Sequence, residues 1–272
     1  MIVACIQLNS GEDKAANVAA AAELVERAAG AGARLIVLPE TWTYKGRAKG
    51  RAKASEPIDG RSNSVLAGLA REHRAYLLAG SIYERTPFPD RCGNASVLFG
   101  PNGRSLAVYR KIHLFDALAG TAVYRESDYL EAGQELVTAK VDGTIVGFSI
   151  CYDLRFAELY RALALKGARI LLVPSAFTAH TGQDHWEVLL RARAIENGCF
   201  VVAANQWGPH EPDRLCYGHS MIVDPWGTVL AEAPDEVDMC LADIDQAQVD
   251  AVRAQIPSLQ HRRPELYGDW EV

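Results

Sequence analysis

The fold of this chain is constrained most by short apolar runs that alternate with longer segments of helical periodicity. Strands are predicted at 2–8, 35–38, 75–82, 95–99, 105–109, 144–150, 170–173, 200–204, 220–223, 229–232 and 239–244. Helices are predicted at 17–29, 62–73, 154–165, 183–197 and 246–255. Helices that alternate with buried strands early in the chain, followed by hairpins, are typical of a mixed sheet flanked by helices. The pattern therefore predicts an α/β fold in which two sheets can be formed.

Size and charge exclude several classes of protein. A chain of 272 residues, 49% of them hydrophobic, can bury one large core. It contains no linker-like stretch, so a single domain over 1–272 is expected. The net charge of −6 argues against nucleic acid as the main partner. No run approaches the roughly 20 apolar residues that a membrane span needs, and the start lacks the basic region of a signal peptide.

The cysteines and histidines show no pattern of metal ligands or disulfides. The six cysteines are Cys5, Cys92, Cys151, Cys199, Cys216 and Cys240, and none forms a Cys-x-x-Cys pair. Scattered cysteines in a chain of this length are typical of a reducing compartment, which predicts a cytoplasmic protein. His180 and His185 are five residues apart and would not share one face of a helix. Neither a metal nor another cofactor is expected.

Cys151 lies where a predicted strand meets a predicted helix, in the run ICYDLRF. Backbone N–H groups at such a turn have no partner within the helix. They favour a thiolate and can hold a developing oxyanion, so this position suits a nucleophile. The alternative is that Cys151 is a small buried hydrophobe, as most free cysteines are.

Two further charged residues follow predicted strands. Glu40 ends the run LIVLPE, where Pro39 stops the strand, and Lys111 follows the strand at 105–109. Each is an ordinary surface residue in the alternative interpretation. Together with Cys151, however, they supply a base that can also act as an acid, a cation for an oxyanion, and a nucleophile. The three residues therefore predict acyl transfer without a histidine.

These three segments resemble the motifs of the nitrilase superfamily, the carbon–nitrogen hydrolases with a Glu-Lys-Cys triad. The likeness extends over nearly the whole chain, from residue 2 to about residue 268. It implies a four-layer α-β-β-α sandwich. By this resemblance, Glu40 is the general base, Lys111 holds the oxyanion and Cys151 is the nucleophile. Glu126 orients the lysine, and the N–H of Tyr152 also holds the oxyanion.

The residues around the cysteine are similar to those of an amidase branch of this superfamily, because Tyr152 and Asp153 stand where true nitrilases have Trp and Glu. Ala157 departs from the proline that is usual in that branch. Three later segments, at 185–196, 217–229 and 260–268, resemble those of the amidases in this branch that act on deaminated glutathione. The resemblance therefore implies a non-peptide amidase that cleaves a small anionic 2-oxo acid amide of this kind through a cysteine thioester. Hydrolysis of 2-oxoglutaramate, as by an ω-amidase, and of other amides or carbamoyl compounds are the alternatives.

Four more residues are candidates for binding the substrate. The planar guanidinium of Arg155 suits a substrate carboxylate, and the alternative is an ion pair with Glu158 on the same helix. Phe177, Thr178 and Thr181 follow another predicted strand and are expected to line the pocket, unless they form a simple polar loop.

A basic segment follows Glu40. It spans residues 45–53 and contains Lys45, Arg47, Lys49, Arg51 and Lys53. A flexible, solvated loop is the favoured interpretation. Electrostatic steering of an anionic substrate is the secondary hypothesis, and nucleic-acid binding finds no other support in an acidic chain.

Three alternatives concern the mechanism and the assembly. His113 or His219 would serve as the base in a papain-like arrangement. A non-catalytic protein would use Cys151 as a thiol switch. Members of the resembled family commonly dimerise through helices, and the polar tail at 257–272 would then reach a partner subunit. A homodimer or a higher homo-oligomer is therefore expected.

Overall fold

The computed structural model describes residues 1–88 and 90–267, so the end of the predicted tail, 268–272, lies outside the described residues. The helices are α1 (Lys14–Gly30), α2 (Ala48–Ala54), α3 (Arg61–Glu72), α4 (Ala157–Leu165), α5 (Ala179–Asn197), α6 (Ala247–Gln255) and α7 (Pro264–Tyr267). The strands are β1 (Ile2–Gln7), β2 (Leu35–Val37), β3 (Tyr76–Leu78), β4 (Ile82–Arg85), β5 (Cys92–Phe99), β6 (Ser105–Arg110), β7 (Asp116–Ala119), β8 (Ala122–Arg125), β9 (Leu130–Glu131), β10 (Thr138–Val141), β11 (Thr144–Phe148), β12 (Ile170–Leu172), β13 (Phe200–Ala203), β14 (Trp207–His210), β15 (Arg214–Tyr217), β16 (Met221–Val223), β17 (Val229–Glu232) and β18 (Asp238–Asp243).

Most strands belong to two mixed sheets. The first has the order β18-β1-β2-β3-β5-β4, with β6 and β9 also paired to β5, and the second has the order β10-β11-β12-β13-β16-β17. In each sheet three strands run parallel, β1-β2-β3 and β11-β12-β13, and antiparallel strands flank them. The pairs β7-β8 and β14-β15 form separate hairpins.

The alternation of side chains along the strands produces the layers. In β1, Val3 and Cys5 join the apolar cluster that also contains residues of the second sheet, whereas Ala4 and Ile6 join the cluster with α1 and α3. This is the two-residue period of a strand buried on both faces. Helices α4 and α5 pack against the second sheet through Leu163 and other apolar residues of the first cluster. The expected four-layer α-β-β-α sandwich is confirmed.

The predicted strand at 75–82 is wrong in its continuity, because the chain forms β3 and β4 with a break between them. Gly80 lies at the break with φ of +46°, in the left-handed region that favours glycine. A Cβ atom at Gly80 would lie 1.9 Å from the carbonyl oxygen of Pro39. The break therefore lets the backbone approach the segment that precedes Glu40.

Two helical segments also differ from their predictions. Residues 151–155 form a short 3₁₀ turn, and α4 begins only at Ala157, because Phe156 has extended backbone angles. The predicted flexible loop at 45–53 is wrong over most of its length, since Ala48–Ala54 is helical. The Ala and Lys residues of that segment have high helix propensity, and this signal was available in the sequence.

None of the helices in the described part of the chain is both long and apolar enough to cross a membrane.

Gly80→Ala is predicted to lower the free energy of unfolding by about 2–4 kcal/mol, because the new Cβ would strain a left-handed residue and collide with the Pro39 carbonyl. The matched control is Gly68→Ala in α3, where a Cβ meets nothing within 4 Å. That change is expected to leave stability unchanged or raise it by about 0.5–1 kcal/mol. Urea unfolding of the two variants measures both values, and equal stability would contradict the role given to Gly80.

Candidate active site

The candidate site forms where strands of both sheets end beside one another. Glu40 follows β2, Lys111 follows β6 and Cys151 follows β11. The Glu40 N–H donates to the Ser175 carbonyl at 3.2 Å, and the Cys151 N–H donates to the Pro174 carbonyl at 2.8 Å. Both acceptors lie just after β12, so these hydrogen bonds fix the base and the thiol on one short segment.

Lys111 lies between two carboxylates. Its Nζ is 2.9 Å from Glu40 Oε1 and 2.8 Å from Glu126 Oε2. The lysine side chain has 0% exposure. Glu126 also accepts the Phe115 N–H at 2.8 Å, which holds this carboxylate in place. The structure thus brings together the three charged residues that the sequence analysis selected.

Glu40 has two further partners that the sequence analysis missed. Asn94 Nδ2 donates to Glu40 Oε1 at 2.8 Å, and the Ala176 N–H donates to Glu40 Oε2 at 2.9 Å. Asn94 is an amide side chain within the fully buried and mostly apolar strand β5, which was a usable signal. Ala176 gave no signal, because its contribution is a backbone group. Both oxygens of Glu40 are therefore oriented by neighbours.

Burial and charge act in opposite directions on the two central groups. Burial would raise the pKa of Glu40, but the Lys111 ammonium and its hydrogen bond hold that pKa below its ordinary value. Burial would also lower the pKa of Lys111, but Glu126 and Glu40 outweigh it and raise that pKa well above the ordinary value. Both side chains are therefore charged at neutral pH.

Cys151 has a left-handed backbone with φ of +50° and an 8% exposed side chain. A non-glycine residue in this region is held by its surroundings and is frequent at functional sites. Burial, followed by the negative charge of Glu40, raises the pKa of the Cys151 thiol well above its ordinary value, against the opposing charge of Lys111. The expectation that this turn favours a thiolate is therefore wrong for the unliganded site, where the thiol keeps its proton beside an ionised Glu40.

Tyr152 offers a free backbone donor next to the thiol. The Cys151 N–H is used by Pro174, whereas the Tyr152 N–H has no acceptor within residues 1–88 and 90–267. The Tyr152 ring lies 4.9 Å from the Phe115 ring and 5.3 Å from the Phe156 ring. The side chain thus packs in an aromatic cluster, and the backbone of the same residue is available to an oxyanion.

Asp153 stabilises the turn that carries the cysteine, and the sequence analysis gave it no role. It is fully buried and accepts the Tyr109 hydroxyl at 2.6 Å and the Ile150 N–H at 2.8 Å. Its other oxygen accepts the His113 N–H at 3.0 Å and lies 2.7 Å from His113 Nδ1. This network orders the polypeptide on both sides of Cys151.

The contacts of the histidines do not support a papain-like base. His113 is engaged by Asp153 and stacks on Phe156, with a centroid separation of 3.6 Å. His219 Nδ1 lies 2.5 Å from Glu232 Oε1. The cavity at Cys151 is lined by neither histidine.

A cavity of about 830 Å³ opens onto Cys151. Arg155, Phe177, Thr178 and Thr181 all line it, as the sequence analysis expected. The Arg155 guanidinium lies 5.0 Å from the centre of the Phe177 ring, and its Nη1 is 3.2 Å from His185 Nδ1. In the described residues Arg155 makes no ion pair with Glu158, so its charge is available to the cavity.

The basic segment contributes to the same cavity. Lys45 and Arg51 line it, whereas Lys49 and Lys53 are exposed outside it. Arg51 lies 3.8 Å above the Tyr129 ring, and Arg47 pairs with Glu211 at 2.7 Å. In the parts of the chain that the structure describes, no group of three or more acidic, histidine or cysteine side chains is placed to hold a metal ion.

The raised pKa of Cys151 generates a prediction for the unliganded protein. The ordinary pKa of a cysteine thiol is about 8.5. Because the folded protein favours the protonated thiol, the thiolate of Cys151 should form only at a higher pH than that. The difference in absorbance at about 240 nm between the wild type and Cys151→Ala should stay flat from about pH 6 to 8. A thiolate signal that titrates near neutrality would contradict this assignment.

Comparisons with known proteins agree with the fold and the site. A family model described as carbon-nitrogen hydrolase matches residues 2–254. The chain is 40% identical to a Synechocystis protein named deaminated glutathione amidase. The alignment spans 269 residues, which are 96% of this chain and 97% of that relative. The crystal structure of the Caenorhabditis elegans NitFhit protein superposes with a TM-score of 0.93 at 40% identity, over 98% of this chain and 66% of that one.

The Saccharomyces cerevisiae protein Nit3, described as a member of branch 10 of the nitrilase superfamily, gives a TM-score of 0.87 at 32% identity, over 97% of this chain and 96% of Nit3. The match to the family model covers most of the chain, and the relatives cover nearly all of it. The prediction of a carbon–nitrogen hydrolase of the amidase type is confirmed, and this chain belongs to the carbon-nitrogen hydrolase family of the nitrilase superfamily.

Proposed function

We propose that this enzyme hydrolyses the amide of a small anionic 2-oxo acid through a thioester on Cys151, with deaminated glutathione as the preferred substrate. The observation that carries the proposal is the buried contact of Lys111 with Glu40 and Glu126, beside a thiol at the base of a cavity. This arrangement holds a base, a cation and a nucleophile within one enclosed volume.

In the first step Cys151 attacks the amide carbonyl. The thiol proton passes to the ionised Glu40 as the sulfur–carbon bond forms, and the carbonyl oxygen becomes an oxyanion. Lys111 and the Tyr152 N–H stabilise that oxyanion. Because the resting thiol is protonated, general-base assistance by Glu40 is needed at the moment of attack.

In the second step the tetrahedral intermediate expels the amine. The protonated Glu40 donates its proton to the leaving nitrogen as the carbon–nitrogen bond breaks, which restores the carboxylate and leaves a thioester. Glu40 then takes a proton from water, the hydroxide attacks the thioester, and the thiolate recovers the proton. The products are the free acid and the amine.

Lys111 is suited to the oxyanion by its two carboxylate partners. A buried ammonium tends to lose its proton, but Glu126 and Glu40 raise its pKa, so the positive charge is kept without solvent. A preorganised charge of this kind needs no reorganisation when the oxyanion appears. Glu126 is proposed to orient the lysine, because Phe115 N–H fixes its carboxylate.

The charge and size of the cavity support the substrate. Arg155 offers a planar guanidinium to a substrate carboxylate, and Phe177, Thr178 and Thr181 are proposed to contact the same ligand. The volume of about 830 Å³ fits a peptide-sized amide, whereas 2-oxoglutaramate would fill a small part of it. The name of the Synechocystis relative also supports deaminated glutathione. Hydrolysis of 2-oxoglutaramate is kept as the second candidate, because it shares the same acyl group.

We further propose a cytoplasmic homodimer or higher homo-oligomer of one-domain subunits over 1–272. Unpaired cysteines support a reducing compartment. Val188 and Ile195 are exposed apolar residues on α5, and Leu266 and Tyr267 are exposed in the tail. Such side chains are suited to contact a partner subunit. Sedimentation analysis of the purified protein would measure the assembly.

Variants of the proposed triad should separate this mechanism from a cysteine–histidine mechanism. Cys151→Ala, Glu40→Gln and Lys111→Met are each expected to lower kcat by about 10³-fold or more, because each removes a group that acts in the transition state. His219→Asn is the control, since its ring pairs with Glu232 outside the cavity. The triad would be overturned if His219→Asn were as inactive as Cys151→Ala while Glu40→Gln stayed active. Mass spectrometry of Cys151 during turnover should detect the acyl adduct.

The substrate class predicts a preference that depends on Arg155. Deaminated glutathione and 2-oxoglutaramate should give kcat/KM values about 10²-fold or more above those of uncharged aliphatic amides. Arg155→Met should remove most of this preference, whereas Arg104→Met, at an exposed position outside the cavity, should keep it. Equally slow release of amine or ammonia from every amide in the panel would argue against a 2-oxo acid substrate.

A further inference from the structure

One of the cations that line the cavity, Lys45, has no part in the proposed mechanism. Lys45 lines the cavity next to Glu40 and Cys216. Its N–H donates to the Gly11 carbonyl at 3.1 Å, and two residues further on the Arg47 N–H donates to Glu12 at 2.7 Å. The backbone that carries this lysine is therefore anchored from both sides.

The charge of Lys45 has no carboxylate partner in the described part of the chain. Two acids on segments next to Lys45 are engaged by Arg47, which pairs with Glu12 at 3.2 Å and with Glu211 at 2.7 Å. Glu40, the other acid in reach, already pairs with Lys111. Burial opposes the charge of Lys45, but Cys216, Tyr83 and Glu40 beside it outweigh burial and raise its pKa, so an ammonium faces the cavity. In the described residues this ammonium has no ion-pair partner, so it can pair with an anion that enters the cavity.

A second unpaired group lies beside this ammonium. His210 lines the cavity, and its Nδ1 is 2.9 Å from the Ser10 carbonyl. A carbonyl only accepts, so Nδ1 carries the hydrogen and Nε2 bears a lone pair. Burial, together with the charge of Lys45, lowers the pKa of His210 to about 3, so the ring is neutral at physiological pH. Nε2 is buried and has no partner in the described residues.

The position of these two groups relative to Glu40 decides which part of a substrate they meet. Glu40 gives its proton to the leaving nitrogen, so the leaving amine must pass beside Glu40. Lys45 is five residues from Glu40, and its charge acts on that carboxylate. Arg155 has other neighbours, His185 and Phe177, and is available to the acyl part.

We propose that Lys45 and His210 form a subsite for the leaving amine, in which Lys45 binds a carboxylate of that amine and His210 Nε2 accepts one of its N–H groups. The inference rests on the proposed amidase function and deepens it. It specifies an amine that bears an acid, such as a short peptide, in preference to ammonia. The charge-assisted contact forms in an enclosed site, where water competes weakly.

The test compares deaminated glutathione with the same compound carrying a C-terminal amide, because the two differ only in the carboxylate of the leaving group. The wild type should hydrolyse the acid with a kcat/KM about 10- to 100-fold above that of the amide, mainly through KM. Lys45→Met should bring this ratio close to one. Lys53→Met removes the same charge from an exposed position of the same segment, outside the cavity, and should keep the wild-type ratio.

His210 is tested by a second ratio. His210→Leu should lower kcat/KM for deaminated glutathione relative to 2-oxoglutaramate, which releases only ammonia. An unchanged ratio would remove His210 from the subsite. Thermal unfolding of each variant identifies losses of activity that come from a less stable fold. Such losses would lower kcat/KM for both substrates together and leave their ratio unchanged.

The outcomes separate the subsite from the function. Equal hydrolysis of acid and amide by the wild type would overturn the subsite and leave the amidase function intact. If the wild type cleaves neither, the proposed function fails, and protection of Cys151 from iodoacetamide then tests the subsite. Serylglycine should protect the wild type better than serylglycinamide, and Lys45→Met should abolish the difference. Equal protection by the two dipeptides would overturn the subsite.

Discussion

The candidate site depends on one buried ammonium held between two carboxylates. Lys111 has no exposed surface, and an isolated charge in that position would lose its proton or destabilise the fold. Glu40 and Glu126 compensate it at 2.9 and 2.8 Å. Removing one partner of a buried ion pair commonly costs about 3–5 kcal/mol, because the other charge is left uncompensated. The catalytic groups are therefore also a structural unit, and each requires the others.

The same unit sets the resting state of the nucleophile. Burial of the thiol and the negative charge of Glu40 outweigh the charge of Lys111 and disfavour a thiolate at Cys151. The resting pair is a thiol and a carboxylate, unlike a cysteine–histidine pair, which can rest as two ions. Negative charge then reaches the sulfur only as the substrate is attacked. The oxyanion that forms carries the charge towards Lys111 and the Tyr152 N–H, where it is stabilised.

The sequence was most informative where chemistry depends on side chains at the ends of buried strands. Glu40, Lys111 and Cys151 each follow an apolar run, and the ends of buried strands are where α/β folds gather their ligand sites. The resemblance added Glu126, which local pattern could not have placed beside Lys111. The partners that are backbone groups, such as Ala176 N–H, could not be predicted, because every residue carries one. The break at Gly80 was missed because its left-handed backbone is required by a close contact with Pro39, a segment distant in the sequence.

The direction of the thiol pKa was also missed, for a related reason. From the sequence, Lys111 and the free N–H groups at Cys151 were visible, and both favour a thiolate. Burial of the thiol and, after it, the charge of Glu40 reverse the balance, and both follow from how the strands that carry these residues pack together. The types of residue were predictable from the sequence. Whether together they raise or lower the pKa of the thiol depends on distances and burial, which only the assembled fold determines.

The two groups of the proposed leaving-amine subsite lie on other parts of the fold than the catalytic groups. Glu40 and Cys151 are fixed by hydrogen bonds to the segment after β12, within the core of the sandwich. Lys45 and His210 lie instead on the segment before α2 and on the hairpin β14-β15, outside both main sheets. Loops on a rigid scaffold tolerate change better than the strands that support them. Recognition of the leaving group can therefore vary in this fold while the charges that perform the reaction stay in place.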